Sequence, residues 1–187
     1  MQEVWLVRHA ETEWSRSGKH TGRTDVPLTD AGRDRATEMR ARLSGQDFAL
    51  VLVSPLERAR ETARLAGLGD SCEVREDLLE WDYGDYEGIT TADIREERPD
   101  LYLWRDGVPN GETADEVGAR CDRVIDEIRS VDGDAAVFAH GHVLRALAAR
   151  WVEEPVAFGG RLYLSTGSLC VLGFEREVRV VRLWNQT

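Results

Sequence analysis

The chain has 187 residues, 42% of them hydrophobic, with 35 acidic against 24 basic residues and a formal charge of −11 at neutral pH. This length fits one domain able to bury enough apolar surface to fold without staples, and no stretch approaches the length of a transmembrane helix. The acidic balance opposes nonspecific binding to nucleic acid and attraction to anionic membranes, so neither is an expected partner.

Val4 to Val7 is a short apolar run that ends abruptly in Arg8-His9. Such a run reads as a buried strand, and in open α/β sheets ligands bind just beyond the carboxyl ends of strands. Arg8 is a permanent cation whose planar fork fits phosphate. His9 offers a nucleophile or an acid–base group near neutral pH. A strand followed by a charged, solvated turn is the plainer alternative for the dipeptide taken alone. The chain shows no basic, apolar leader pattern before this strand, so a cytoplasmic location is expected. Glu11 to Leu28 is polar, carries Gly18, Gly22 and Pro27, and is too long for a simple connection; loops of that length are often functional. Thr29 or Asp30 then caps a helix to about Leu43, with Ala36, Met39 and Leu43 on one face. Phe48 to Val53 is the next apolar strand.

Ser54-Pro55-Leu56-Glu57 carries several helix-start signals: Ser54 as cap, Pro55 at the first helical position and Glu57 closing a capping box. Arg58 falls in the first turn, where it opposes the helix dipole unless an anion is present. Leu78 to Gly88 mixes aromatics, acids and two glycines without a clear period and reads as an irregular loop. Thr91 to Trp104 suggests short helices interrupted by Pro99. Thr113-Ala114-Asp115-Glu116 is a capping box opening a helix with Val117, Cys121, Val124 and Ile128 on one face. Ala135 to Ala139 is a third apolar strand ending in His140-Gly141-His142, with a helix over about Val143 to Trp151. There Gly141 permits close backbone approach, and the helix start favours an anion. Leu162 to Leu164, Ser168 to Phe174 and Val178 to Trp184 read as strands, the last two joined in a hairpin at Glu175-Arg176-Glu177.

Cys72, Cys121 and Cys170 are odd in number and lack close-pair spacing, which argues against a disulfide framework or a zinc site. Cys170 and Arg176 have the C-x5-R spacing of tyrosine-phosphatase loops. The residues between them form an apolar strand rather than a loop of free N–H groups, so the match is read as coincidence. His140 and His142 as metal ligands lack a complete set, and no metal is expected. The pattern as a whole is an α/β fold of three layers, a largely parallel central sheet with helices on both faces. Residues 1–187 are read as one domain, with a helical excursion at about 89–112 covering the site. Two strand ends deliver histidines, and arginines stand beside them: together they make a phosphate pocket.

The chain resembles the histidine phosphatase superfamily, the phosphoglycerate-mutase-like proteins, over nearly its full length. The carriers are Leu6-Val7-Arg8-His9-Ala10-Glu11-Thr12-Glu13-Trp14, Thr21-Gly22-Arg23-Thr24-Asp25-Val26-Pro27-Leu28-Thr29, Ser54-Pro55-Leu56-Glu57-Arg58-Ala59-Arg60-Glu61-Thr62, Glu80 to Gly88, and Phe138-Ala139-His140-Gly141-His142. Within that superfamily it is most similar to actinobacterial mutase-like acid phosphatases. In Trp104-Arg105-Asp106-Gly107 and Asn110-Gly111-Glu112-Thr113 it is similar to the sedoheptulose-bisphosphatase group. The resemblance implies that His9 attacks phosphorus and becomes phosphohistidine, that Arg8, Arg58 and His140 hold the phosphoryl oxygens, and that Glu80 protonates the leaving oxygen and then activates water. It implies substrate-binding roles for Ser15, Thr21, Gly22, Gly141 and His142, with His142 expected to matter far less than His140. No metal or organic cofactor is implied.

Two departures bear on the activity. Ala10 stands where Arg-His-Gly is usual, adding a methyl beside the nucleophile. Ser15 stands where mutases tend to have asparagine, and Trp81-Asp82-Tyr83 follows Glu80 in place of their Arg-His-Tyr. The expectation is a phosphatase acting on a small-molecule phosphate ester of the sugar phosphate or bisphosphate class. A phosphoglycerate mutase and a noncatalytic phosphate-binding regulatory protein are the alternatives. The filled catalytic positions weigh against the latter, and homodimer formation stays open.

Overall fold

The computed structural model describes residues 2–187. Six strands form one sheet in the order β3-β2-β4-β1-β5-β6. They are β1 (Val4–Arg8), β2 (Phe48–Val53), β3 (Cys72–Val74), β4 (Asp134–Ala139), β5 (Leu169–Glu175) and β6 (Val178–Gln186). The first four pair in parallel, while β5 lies antiparallel to both β1 and β6. The helices are α1 (Glu13–Ser17), α2 (Asp30–Leu43), α3 (Glu57–Leu65), α4 (Thr91–Glu97), α5 (Leu103–Asp106), α6 (Ala114–Arg129) and α7 (Gly141–Trp151).

The alternation of side chains along a strand divides the core into two layers. Leu6, Leu52, Val137 and Leu172 pack on one face with α6 and α7 residues such as Val124, Ile128, Leu144 and Trp151. Val7, Val53, Phe138 and Val171 pack on the other with Met39 and Leu43 of α2 and Ala59 and Ala63 of α3. The strands β1, β2, β4 and β5 are thus covered on both sides, as near-continuous apolar runs require, and the three-layer, largely parallel sheet is the one expected. Among the described residues no helix is long and apolar enough to cross a membrane.

Several local expectations change. The stretch Glu11 to Leu28 holds α1, capped by Thr12 and Ser15, and closes on itself where Thr12 bridges Leu28. Helix α3 starts at Glu57 with Leu56 as its cap residue, not at Ser54. Helix α7 starts at Gly141, which places His142 inside its first turn. Leu162 to Leu164 is not a strand. Its carbonyls serve side chains instead, Tyr163 O accepting from Trp184 Nε1 (2.6 Å) and Leu164 O from Arg8 Nη1 (2.5 Å). The three-residue β3, with Glu73 at its centre, has too little apolar pattern to be seen in sequence.

Candidate active site

The site lies beyond the carboxyl ends of β2, β4 and β1, which are neighbours. Pairing aligns Arg8 with Ala139 and Val53 with Phe138, so the next residues, His9, His140 and Ser54, emerge along one edge. Backbone bonds continue the ladder there: His9 N–H to Ala139 O (2.9 Å) and Ser54 N–H to Phe138 O (3.0 Å). The rings of His9 and His140 stand 5.1 Å apart.

His9 is 4% exposed. Its Nδ1 lies 2.8 Å from the Ala10 carbonyl, which only accepts, so Nδ1 carries the proton and Nε2 the lone pair. Burial, then the charges of Arg58 and Arg8, hold its pKa well below the ordinary histidine value. The ring is therefore neutral, with an unprotonated nitrogen available for attack. Ala10 does not adopt a left-handed backbone. Its methyl is buried with Leu28 and Ala36, and its N–H donates to Thr62 Oγ1 (3.1 Å). The alanine therefore leaves the backbone at His9 unstrained.

Arg8 reaches across the edge to α7. A Cβ at Gly141 would lie 3.2 Å from Arg8 Cζ, closer than most such contacts, so glycine lets the guanidinium lie against the helix start. Arg8 Nη1 donates to Leu164 O, whereas Arg8 Nε is buried and without a partner among the described residues. Arg58 is fully buried, and most of its donors are engaged within the protein: Nε to His140 Nδ1 (3.1 Å), Nη1 to Thr24 O (2.8 Å), Nη2 to Thr21 O (3.1 Å) and Gly22 O (2.9 Å). Because Arg58 only donates, His140 Nδ1 accepts, and its Nε2–H donates to Ser54 Oγ (2.7 Å). Burial, then Arg58 and His9, hold His140 well below the ordinary histidine pKa. In this arrangement Arg58 gathers the 21–24 loop and sets the field at His9, while His140 fixes Arg58. The same loop is held from the other side by Glu87, whose carboxylate accepts from Gly22 N–H (2.9 Å) and Thr24 N–H (3.0 Å). A Cβ at Gly22 would come within 2.6 Å of that carboxylate.

Glu80 is 4% exposed and sits at the start of α7. Oε1 accepts from Trp81 N–H and Val143 N–H, and Oε2 from His142 N–H, each at 2.9 Å. The carboxyl group of Glu80 thus fills the place that this helix start offers to an anion. Each carboxylate oxygen has a second lone-pair direction, and Oε2, with one donor against two, is the less engaged.

A cavity of about 230 Å³ opens at this edge, lined by Arg8, His9, Ser15, Gly18, Lys19, His20, Thr21, Tyr83, Thr91 and His142. Five of the ten expected site residues therefore face it: Arg8, His9, Ser15, Thr21 and His142. Arg58, His140, Glu80, Gly22 and Gly141 are not on its lining; the contacts above place them around the residues that are. The Ser15 hydroxyl is engaged in the α1 capping box and the Thr21 hydroxyl on Lys19 O (3.1 Å). Lys19, His20, Tyr83 and Thr91 were not singled out by sequence. Lys19 and His20 reach the site because this loop bridges to Thr90 at the start of the excursion, with His20 Nε2 3.2 Å from Thr91 Oγ1. Trp104 of that excursion stacks on His142. Among the described residues no group of His, Cys, Asp or Glu is placed to hold a metal ion.

The neutral state of the buried His9 and His140 and the partly buried His142 makes stability depend on pH. In the unfolded chain each titrates near the ordinary value, about 6.5; in the fold the pKa values of His9, His140 and His142 lie well below it. Below pH about 6.5 the unfolded chain therefore binds more protons than the fold. Their contribution is complete above that pH and is lost as pH falls toward the folded values, by up to about 1.4 kcal/mol per pH unit for each histidine. Urea midpoints should fall clearly between pH 7.5 and 5.5; constant stability over that range would show that the histidines charge within the fold.

A family model described as the histidine phosphatase superfamily (branch 1) matches residues 4–187. The chain is similar to an acid phosphatase of Mycobacterium tuberculosis, 44% identical over 93% of this chain and 87% of that protein. It is also similar to the sedoheptulose 1,7-bisphosphatase of Saccharomyces cerevisiae, 40% identical over 78% of this chain and 66% of that protein. A solved structure of an open reading frame product from Mycobacterium tuberculosis superposes with a TM-score of 0.94 at 40% identity, covering 100% of this chain and 98% of that one.

Proposed function

The chain belongs to the histidine phosphatase superfamily, and on that basis we propose that it is a cytoplasmic phosphatase hydrolysing a small phosphorylated metabolite, of the sugar phosphate or bisphosphate class, through phosphohistidine on His9. The observation that carries this reading is the pairing of two groups from residues that line one cavity: the lone pair of His9 Nε2 and the guanidinium of Arg8, whose Nη2 has no partner among the described residues. Phosphoryl transfer is mostly positioning and charge stabilisation. Arg8 offers a donor to an equatorial oxygen, Arg58 adds positive charge, and His140 fixes Arg58 rather than offering a free nitrogen of its own.

In the first step His9 Nε2 forms the N–P bond as the P–O bond to the alcohol breaks, and Glu80 gives its proton to the leaving oxygen. In the second Glu80 takes a proton from water, whose oxygen bonds to phosphorus as the N–P bond breaks and phosphate leaves. Two easier steps replace one hard one, and neither is assigned to a metal ion. A panel of sugar phosphates, bisphosphates and phosphoglycerates, assayed for phosphate release with and without a chelator, tests the reading. Release from sugar esters, unaffected by chelation and not stimulated by 2,3-bisphosphoglycerate, is expected. Primer-dependent isomerisation without phosphate release would identify a mutase instead.

A further inference from the structure

The scheme above gives no task to the ring of His142, yet that ring is held by aromatic contacts on three sides and by a hydrogen bond. It stacks on Trp104, with centroids 5.0 Å apart and planes at 29°, and meets Trp81 and Tyr83 edge to face. Its Nδ1 lies 2.6 Å from the Tyr83 hydroxyl. That hydroxyl is buried and has no other partner among the described residues, so its one proton goes to Nδ1. Burial, and then the Glu80 charge, raise the Tyr83 pKa well above its ordinary value, which keeps it a donor. Burial, then Arg145, His20 and Arg8, lower the pKa of His142 well below the ordinary range. With Nδ1 accepting on a neutral ring, the ring proton sits on Nε2. Nε2 has no partner among the described residues, and the side chain, 21% exposed, opens onto the cavity that holds Arg8 and His9.

We propose that the Nε2–H of His142 donates to a hydroxyl oxygen on the alcohol part of the substrate, and that the substrate is the phosphate ester of a short polyol. The proposal rests on the hydrolase reading above. The rest of the wall agrees with it. Ser15, Lys19, His20, Thr21 and Thr91 bring polar groups, and about 230 Å³ is smaller than the roughly 300–1,000 Å³ of sites for drug-sized ligands. An uncharged, fixed donor matches an uncharged oxygen, and an alkyl group in its place would leave the N–H unpaired in a largely buried position. His142 then acts on recognition, while the reacting atoms are handled by His9, Arg8 and Glu80.

The test compares kcat/KM on glycerol 1-phosphate and on n-propyl phosphate, with nitrophenyl phosphate alongside, for the wild type, His142→Asn and His142→Gln. Asparagine leaves Tyr83 an acceptor near the Nδ1 position but offers no donor at Nε2. Glutamine is long enough to return an N–H there. The two alkyl esters differ in leaving group as well as hydroxyls, but that difference is common to all three proteins and cancels in the comparison. The wild type should prefer glycerol 1-phosphate by about tenfold or more. His142→Asn should lower that preference about fivefold or more relative to the wild type, mainly through KM, and His142→Gln should restore part of it. Equal losses on all three esters in His142→Asn, or a wild type without preference, would overturn the proposal. Hydrolysis of nitrophenyl phosphate with no release from glycerol 1-phosphate would overturn it too, and would leave the hydrolase reading standing. No phosphate from any of the three esters with the wild type would overturn both.

Discussion

His9→Ala should abolish turnover, lowering kcat on any phosphate ester by about 10⁴-fold or more, the scale on which loss of a covalent nucleophile acts. Neither His140 nor His142 replaces it. His140 has both ring nitrogens engaged by Arg58 and Ser54, and His142 presents a protonated nitrogen. The variant should still fold. The bonds that tie residue 9 to the sheet edge are backbone bonds, to Ala139 O and from Gly167 N–H, and they survive the substitution. The ring itself is buried but borders a cavity, so its removal enlarges open space rather than creating a closed void. Circular dichroism and a urea midpoint close to the wild type would accompany the inactive enzyme. Substantial residual turnover in a folded His9→Ala protein would remove the phosphohistidine mechanism.

Glu80→Gln should cost about 10²–10⁴-fold in the phosphorylation step on a sugar phosphate and clearly less on an aryl phosphate. A sugar alkoxide needs a proton as the P–O bond breaks, whereas nitrophenolate departs with little help. The comparison is needed because the substitution also disturbs structure. Both carboxylate oxygens accept backbone N–H groups, and the glutamine amide must turn its NH₂ against at least one of them. That mismatch costs about 1–3 kcal/mol of stability and acts on every substrate alike. The leaving-group dependence does not arise from it. Slow water activation in the second step should also give a burst of nitrophenolate. Equal losses on both substrates in single-turnover measurements would rule Glu80 out as the acid and direct attention to Asp82.

The parts of this site that the sequence revealed are those written in local pattern. Val4 to Val7 and Ala135 to Ala139 are apolar runs that break at a histidine, and such breaks mark strand ends. The register that sets Arg8 beside Ala139 is a tertiary fact; it turns two separate strand ends into one edge. Ser54 shows how a local signal misleads. It has the context of a helix cap, but the His140 ring engages its hydroxyl, and the helix begins three residues later without a side-chain cap. Arg58 is similar: its place in a first turn was legible, but its burial under three loop carbonyls was not. Lys19, His20 and Thr91 come together through one bridge between distant loops, which no spacing encodes. Tyr83 and Trp104 were visible as aromatics in irregular stretches, yet their grip on His142 depends on how the excursion packs.

The central claim is tested most directly by trapping the intermediate. Glu80→Gln enzyme mixed with an aryl phosphate, quenched in alkali during the burst and digested, should carry one phosphoryl group on the peptide that contains His9. The linkage should survive alkali and be lost in acid, as a phosphorus–nitrogen bond is, and it should be absent when His9 is also replaced by alanine. A burst with no phosphorylated peptide, or with the phosphoryl group on another residue, would contradict the mechanism.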